Sequence, residues 1–396
     1  MRIRRCAILF LEPREEIGFE LDSLLKGGDG IRTFSRWLAL APHLEREVEV
    51  DRIERELLGS VSASRWTERV WGSGQEAAAA QRLLQAGLLL SGDAAFERHA
   101  ERDQAIREAH WWPLAAVAHR FGRWHGTDGV AALEASGLAT ATGLREKLGP
   151  PPPAVAERVP VHQRLPLPRL PADAYEALRT QRATCRNFDA ARPLPLAHLV
   201  RMLQRVLAAQ AQVRIDEDTV FLKRNVPSGG GLHPTAAYLL VQAVEELPAG
   251  LYHYHPVAHA LEPLTEVAGG IADFAARITA GQHWFANAHV LVVLTSRYAR
   301  SQWKYRQHAK AYRALVLDVG HISQALYDAA TELGLAAFVT AAINEVDIEQ
   351  GLGLDPLREG PIAICGFGWR AAQRQVTEFD PAAQVWTRAA DATAPL

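Results

Sequence analysis

The sequence has few cysteines, little net charge and no long apolar run, and each shortage excludes a class of protein. Its three cysteines, Cys6, Cys185 and Cys365, are far apart and form no C-x-x-C pair. We therefore expect neither a structural zinc site nor a disulfide framework, and the count suits a reducing cytosol. The formal net charge of −2 gives no general attraction for nucleic acid or anionic lipid.

The longest apolar stretches are also too short for targeting or membrane insertion. The N-terminal run covers only about six residues before charges return, which is too short for a signal peptide. No run approaches the ~18 residues that a membrane span requires. We therefore expect a cytoplasmic protein that binds neither nucleic acid nor membrane.

A proline-rich stretch divides the chain. With 396 residues the chain is long enough for two domains. Residues 148–173 contain eight prolines and cannot form a helix or a central strand, so they predict an extended connector. We expect an N-terminal domain at 1–147, this connector, a second domain at 174–376 and a C-terminal tail at 377–396.

The N-terminal domain has the pattern of a small helical module. The sequence predicts a first strand at Ile3–Leu11, amphipathic helices at 22–27, 31–40 and 51–59, and a helix that ends at Gly87 before a short apolar strand. This order is typical of a winged-helix-like domain, although an ordinary helical domain fits equally well. Because its charges are balanced, the phosphate-neutralising contribution that dominates DNA affinity is missing. An extended peptide lying along a strand edge is the better expectation.

The second domain mixes strands and helices. The pattern predicts helices at Tyr175–Thr180, Leu196–Ala208 and 310–335, a hairpin of Leu251–Tyr254 with Ala260–Leu264, and buried strands at 288–296 and 360–368. Gly334 is well placed to end the long helix. Residues 236–242 fit a helix or a strand. These elements indicate an α+β layer fold.

Three groups of residues are candidates for chemistry. Arg182, Thr184 and Arg186 could share one face at helical spacing and present two guanidinium groups and a hydroxyl, which suit a phosphate. A solvated arginine face is the alternative. The loop "PSGGGLHP" at 227–234 fits neither the phosphate loop of NTPases nor a dinucleotide fingerprint. Its glycines would let the backbone approach something flat or crowded, or they simply form a tight turn.

The third group is Lys304 with Tyr305, between a buried strand and the long helix. Side chains at such junctions often converge on a ligand. A lysine beside a tyrosine can transfer a proton if the lysine is buried enough to lose its charge. An exposed basic helix start is the alternative.

The order of these motifs forms a recognisable pattern. An Arg-x-Thr-x-Arg box is followed by a Pro-Ser-Gly-rich loop, a Gly-Leu-Tyr-x-Tyr hairpin, a Lys-Tyr pair and "LDVGHISQALYDAATELGL". Together they resemble the SagB/McbC-type dehydrogenases of ribosomal peptide maturation, within the FMN-dependent nitroreductase superfamily. The resemblance extends over about residues 175–370. It implies a nitroreductase-like fold, with a mainly antiparallel central sheet flanked by helices, and an interleaved homodimer.

The resemblance also implies a role for each matching residue. The FMN phosphate and ribityl chain would be held by Arg182, Thr184 and Arg186, and the isoalloxazine ring would be touched, from the other subunit, by Pro227, Ser228, Gly229 and Gly230. Lys304 and Tyr305 match the pair that handles protons. Arg370, which follows "GFGW", is a candidate second phosphate ligand. Ala341 and Ala342 stand where many nitroreductases have an acidic residue and a glycine, which argues against a simple nicotinamide-driven reductase.

The implied reaction is the oxidation of a thiazoline or oxazoline in a precursor peptide to the azole, with FMN as cofactor. The implied partners are a ribosomally made precursor peptide and a cyclodehydratase or other maturation enzymes. Alternatives are an NAD(P)H-dependent reductase of nitro, quinone or dehydroamino-acid substrates, and a non-catalytic scaffold that delivers peptide. A DNA-binding regulator is a third alternative, against which the balanced charge speaks.

Overall fold

The computed structural model describes residues 1–386, so the last part of the predicted tail, 387–396, lies outside the described residues. The strands are β1 Arg2–Arg5, β2 Phe10–Phe19, β3 Ile31–Leu40, β4 Val48–Glu49, β5 Thr67–Glu68, β6 Leu89–Ser91, β7 Ala211–Arg214, β8 Val220–Lys223, β9 Thr235–Val241, β10 Gly250–His255, β11 Ala260–Pro263, β12 Val290–Arg297, β13 Ala336–Thr340 and β14 Glu359–Gly368.

The helices are of very different lengths, and one of them, α13, spans 22 residues. They are α1 Leu21–Leu25, α2 Arg52–Ser60, α3 Gly74–Ala86, α4 Glu97–Ala109, α5 Pro113–Phe121, α6 Gly129–Ser136, α7 Ala141–Leu148, α8 Ala174–Thr180, α9 Leu196–Val206, α10 Ile271–Ile278, α11 His283–Ala286, α12 Tyr298–Gln302, α13 Ala311–Glu332 and α14 Glu345–Leu352. Among the described residues, none of these helices combines the length and the apolar character that crossing a bilayer requires.

The chain forms two compact units, each assembled from separate segments. Unit 1 contains Met1–Arg123, Arg297–Arg313 and Asp355–Glu359, and unit 2 contains Trp124–Ser296, Ala314–Leu354 and the residues from Gly360 onward. This division differs from the continuous domains expected at 1–147 and 174–376, because each unit contains three separate segments of the chain. Most of the proline-rich stretch is extended and exposed, with one short 3-10 turn at Val161–Gln163.

Unit 1 contains two small sheets and a helical core. One sheet has the order β5-β1-β6 and the other the order β2-β3-β4. Asp51 caps α2 in a capping box with Glu54, and Gly87 ends α3 in the left-handed conformation with φ of 79°. The buried faces of α2 and α3 pack with β1 and β6 in one apolar cluster around Ile3, Leu58 and Leu84. The winged-helix-like character of this unit stays a prediction.

Two of the expected elements in unit 1 are wrong. Residues 31–40, expected as a helix, form β3, which pairs with β2 over ten residues from Phe10↔Leu40 to Phe19↔Ile31. The single strand expected at Ile3–Leu11 is two strands, β1 and the start of β2, which belong to different sheets. In both cases pairing between strands determines the conformation, which the local spacing of apolar residues does not reveal.

A buried aromatic cluster joins the three segments of unit 1. The rings of Trp111 and His119 stack with centroids 5.3 Å apart, and the ring of Tyr298 lies 4.7 Å from that of Trp111. Trp111 Nε1 donates to the Leu357 carbonyl at 3.1 Å, and His119 Nε2 lies 2.8 Å from the carbonyl oxygen of Pro356. Burial lowers the pKa of His119 to about 4. The histidine is therefore a neutral part of the core.

Unit 2 is built on a six-stranded sheet of order β11-β10-β9-β12-β14-β13. The pairs β11–β10, β10–β9, β9–β12 and β14–β13 are antiparallel. The hairpin, the two buried strands, the three helices and the left-handed Gly334 match the sequence expectations, and the undecided residues 236–242 form most of β9. The expected α+β class is confirmed.

Each face of this sheet carries its own core. Along β9, Leu239 and Val241 face a cluster that includes α9 and α13, whereas Tyr238 and Leu240 face a cluster that includes α10 and α14. This alternation follows from the period of two in a strand. Because both faces are covered, β9, β12 and β14 read as near-continuous apolar runs, and α13 is held firmly against the sheet.

Candidate functional site

The Arg-x-Thr-x-Arg segment is extended, not helical. Helix α8 ends at Thr180, and the Cys185 N–H donates to the Ala337 carbonyl of β13 at 2.9 Å. Ala183, Cys185 and Asn187 are buried, whereas Arg182 and Arg186 are exposed and Thr184 is half-buried. The exposed arginines thus alternate with buried residues, as an extended chain requires. The expected helical spacing is wrong, and the role of these three residues in binding a phosphate stays a prediction.

This segment carries two exposed guanidinium groups and a half-buried hydroxyl. Thr184 Oγ1 is 2.9 Å from the hydroxyl oxygen of Tyr327 on α13, and the Arg182 guanidinium carbon lies 5.4 Å from the centre of that tyrosine ring. The Arg186 guanidinium carbon lies 5.7 Å from the ring centre of Trp284, and its Nη1 donates to the Thr377 carbonyl at 3.0 Å. This donor set fits a phosphate ester, because guanidinium forks and hydroxyls are its usual ligands.

Tyr327 contacts the Arg-x-Thr-x-Arg segment from the buried side. Its hydroxyl also accepts the Val339 N–H at 3.2 Å, so it connects α13 with β13 and with Thr184. Burial raises the pKa of Tyr327, although the hydrogen bond with Thr184 opposes the shift. The phenol therefore stays protonated at neutral pH and orients the threonine hydroxyl. The residue lies within the "LYDAA" stretch of the resemblance, but its role was not predicted.

The glycine loop is anchored to α13 by a buried carboxylate. Asp318 accepts the Ser228 hydroxyl at 2.6 Å and the Gly229 N–H at 2.9 Å, and it is 4% exposed. The Ser228 oxygen in turn accepts the His233 N–H at 2.9 Å. Asp318 was missed by sequence reasoning. The signal that could have revealed it is an acidic residue between Leu315 and Ile322 on the apolar face of the helix.

The glycines themselves are explained by this anchoring. Gly230 and Gly231 have φ of 64° and 69°, in the left-handed region that favours glycine. A Cβ on Gly229 would lie 3.2 Å from the Cβ of Ala314, so the loop backbone packs closely on α13. Gly230 is exposed. The loop is thus a tight turn, and its exposed backbone at Gly230 is free to meet a ligand.

Arg370 lies on the buried side of the Arg-x-Thr-x-Arg segment. It forms an ion pair with Glu378, and its Nη2 donates to the Ala183 carbonyl at 3.5 Å. Its side chain is 20% exposed, whereas that of Glu378 is fully buried. The charge of Arg370 is therefore already matched within the chain. Its expected role as a second phosphate ligand stays a prediction.

Lys304 and Tyr305 belong to unit 1, whereas the phosphate-binding candidates and the glycine loop belong to unit 2. They follow α12, and both backbone N–H groups donate to the Ser301 carbonyl, at 3.2 and 3.0 Å. Lys304 is exposed and its Nζ lies 5.5 Å from the centre of the Tyr305 ring. The burial that would favour a neutral lysine is thus not provided by unit 1. Their catalytic role stays a prediction.

Ala341 and Ala342 directly follow β13, as the sequence suggests. The Ala342 N–H donates to Thr340 Oγ1 at 3.2 Å, and its carbonyl accepts from Gln282 Nε2 at 2.7 Å. Ala341 is exposed. No acidic side chain stands at either position, so only main-chain atoms of these two residues could meet a ligand.

Part of the chain is similar to known proteins. Residues 180–369 match the nitroreductase family. The chain is 31% identical over 149 residues to the trifolitoxin-processing protein TfxB of Rhizobium leguminosarum bv. trifolii, a match that covers 36% of this chain and 38% of that protein. It is 26% identical over 160 residues to the microcin B17-processing protein McbC of Escherichia coli, with coverage of 37% and 54%. The matches thus span less than two thirds of either relative.

Solved structures are similar at lower identity. The E. coli microcin synthetase McbBCD complex with truncated pro-MccB17 bound is 20% identical, with a TM-score of 0.46, over 67% of this chain and 92% of that chain.

Proposed function

We propose that the protein is an FMN-dependent dehydrogenase of ribosomal peptide maturation, and this proposal starts from the match of residues 180–369 to the nitroreductase family. Its proposed reaction is the oxidation of a thiazoline or oxazoline ring in a precursor peptide to the azole. The observation that carries the cofactor assignment is that Arg182 and Arg186 are exposed on one short extended segment, on either side of the Thr184 hydroxyl. The similarity to two proteins named for the processing of trifolitoxin and of microcin B17 supports the proposed substrate class.

Each candidate residue has a defined task in this proposal. Arg182, Thr184 and Arg186 bind the phosphate and the ribityl chain. The loop from Pro227 to Gly230, held by Asp318, presents its main chain to the ring of the cofactor. Bound FMN supplies the acceptor for the hydride that leaves Cβ of the azoline. The protein positions the substrate and the cofactor and handles the proton.

The proton leaves Cα of the azoline, and Lys304 or Tyr305 is the proposed base. Loss of this proton together with the hydride from Cβ removes two hydrogens and makes the ring aromatic. For Lys304 to act as a base it must lose its charge, which requires burial that the exposed side chain lacks in unit 1. Under this proposal the substrate peptide, or a second copy of the chain, covers the lysine during turnover. The further proposed partners are a cyclodehydratase and other maturation enzymes.

Two measurements on the purified full chain test the function. A dialysed preparation should show the near-ultraviolet and blue absorption bands of flavin. Heating should release that flavin, identified as FMN. Lys304→Ala should keep the bound flavin and lose the oxidation of a synthetic azoline peptide, followed as the loss of two hydrogens by mass spectrometry. Lys310→Ala, a second exposed lysine of the same connection, is the matched control and should stay active.

The outcomes separate the proposal from its alternatives. A protein that stays colourless with excess FMN would contradict the flavoenzyme assignment and favour a peptide-delivering scaffold. Reduction of nitro compounds or quinones by NAD(P)H, with no azoline oxidation, would favour the reductase. Loss of flavin from Lys304→Ala would give that lysine a structural role in place of a catalytic one.

A further inference from the structure

Glu378 is a fully buried carboxylate in the segment that follows the nitroreductase-family match. The Arg186 N–H and Asn187 Nδ2 donate to its Oε1 at 2.6 and 2.7 Å. Trp386 Nε1 donates to its Oε2 at 2.7 Å, and Arg370 forms an ion pair with the same oxygen. Four donors from three parts of the chain thus converge on one carboxylate.

These partners keep the carboxylate charged. Burial raises the pKa of Glu378, but the hydrogen bonds from Arg186, Trp386 and Asn187 and the charge of Arg370 outweigh burial, so the pKa lies below its usual range. A buried carboxylate is costly unless it is paired and hydrogen-bonded, and here both conditions are met. The arrangement is therefore a built anion site that the chain fills with its own side chain.

Asn187 ties the same segment to the phosphate-binding candidates a second time. Its Oδ1 accepts the N–H groups of Gln375 and Val376 at 2.7 and 2.8 Å, and its Nδ2 donates to the Val376 carbonyl at 2.8 Å. Arg186 adds its own contact to the Thr377 carbonyl at 3.0 Å. Residues 375–378 consequently fix both the backbone and the guanidinium of Arg186.

We propose that Glu378 is a positioning residue of the FMN phosphate site, and that Arg370 is its counter-ion and not a phosphate ligand. This inference rests on the proposed flavin-dependent function. The side chains of Arg182 and Arg186 are exposed, whereas Arg370 donates to the Ala183 carbonyl and is paired with the buried Glu378. A phosphate therefore meets the exposed arginines, whereas the charge of Arg370 is already matched, and Glu378 acts on the phosphate only through Arg186.

The test compares FMN with riboflavin, which lacks the phosphate. Affinities of both for the full chain are measured by fluorescence titration in wild type, Glu378→Gln, Arg370→Met and the double variant, with thermal unfolding as a check of folding. Glu332→Gln, which removes an exposed partner of Arg205, is the matched control and should leave both affinities unchanged. We expect Glu378→Gln to weaken FMN at least tenfold while riboflavin changes less than threefold.

The double variant decides the role of Arg370. Because it buries no unpaired charge, it should recover much of the FMN affinity that either single variant loses. If the double variant binds FMN no more tightly than Arg370→Met does, and riboflavin affinity is unchanged in both, the proposal is overturned and Arg370 is a phosphate ligand. Equal losses for FMN and riboflavin in Glu378→Gln would also overturn it, because a general loss of structure would then be the cause.

Two further outcomes are informative. If Glu378→Gln fails to fold while the double variant folds, the ion-pair half of the proposal is supported, and the double variant alone then tests FMN against riboflavin. If wild-type protein binds neither flavin, the proposed function itself fails and this inference fails with it. If wild type binds FMN and none of the variants differs from it, only the inference fails.

Discussion

Replacing Asp318 by alanine should release the glycine loop from α13. The substitution leaves the Ser228 hydroxyl and the Gly229 N–H without their acceptor. A hydrogen bond to a charged group contributes about 1.5–3 kcal/mol, so two bonds amount to about 3–6 kcal/mol. Ser228 and Gly229 are half-buried and can partly reach water, which favours the lower end, about 3 kcal/mol.

The assay is thermal unfolding of the purified chain, read alongside amide hydrogen exchange of residues 226–233. The midpoint of thermal unfolding shifts by ~2–4 °C per kcal/mol for a unit of 150–250 residues, so the midpoint of unit 2 should fall by about 6–12 °C. Exchange at Gly229 should become faster. Asp318→Asn should lower the free energy of unfolding much less, because the amide oxygen can still accept the Gly229 N–H and the amide N–H can donate to the Ser228 oxygen.

Asp328→Ala is the matched control, since Asp328 lies on the same helix in an ion pair with Arg179 that is about a third exposed on each side. Exposed ion pairs contribute about 0–1 kcal/mol, so the midpoint of thermal unfolding should fall by about 0–4 °C in this variant. If Asp318→Ala and Asp328→Ala lowered the transition equally, and the Gly229 amide exchanged as in wild type, the anchoring of the loop by Asp318 would be refuted.

The remaining predictions concern backbone conformation and pH. Gly230→Ala forces a side chain into φ of 64° and should lower the free energy of unfolding by about 1–2 kcal/mol, whereas Gly320→Ala, on an open position of α13, should raise it by up to about 1 kcal/mol. Urea unfolding of both variants measures this, and equal effects would contradict it. The pKa of Glu378 is lower in the folded chain than in the unfolded chain. Its contribution to the free energy of unfolding is therefore complete above the unfolded pKa of about 4.3 and is lost as the pH falls through the lowered folded-state pKa. The stability difference between wild type and Glu378→Gln should therefore narrow below about pH 4, and a difference that stays constant down to about pH 2 would contradict this.

The Arg-x-Thr-x-Arg segment illustrates what the sequence can and cannot predict. Its proposed role in binding a phosphate follows from residue types alone. Its conformation does not, because residues four apart share a face in a helix while residues two apart do so only in an extended chain. Thr184 would have pointed away from both arginines in a helix. The threonine between them therefore favoured the extended form, but the spacing of the arginines concealed this.

Long-range partners account for most of what was missed. Residues 31–40 have apolar side chains three or four apart, yet they pair with β2 along their whole length, and a ribbon of this kind is determined by both strands together. Glu378 and Arg186 are separated by 192 residues. Nothing local marks that glutamate as buried, since its neighbours Thr377 and Phe379 are exposed. Local periodicity predicted α9 and α13 well, because their apolar stripes are complete within the helices.

Unit 1 is assembled from three separate segments of the chain, and this has a consequence for protein synthesis. Trp111 and His119 complete their hydrogen bonds only with the carbonyls of Leu357 and Pro356, some 240 residues later in the chain. A chain emerging from the ribosome must therefore hold the first segment of unit 1 with an incomplete core until most of unit 2 has been translated. Closing such distant contacts late is slow and leaves apolar surface exposed in the meantime. The first segment of unit 1 should thus depend on chaperones for longer than its N-terminal position suggests, because neither unit can complete its core until residues 355–368 have been translated.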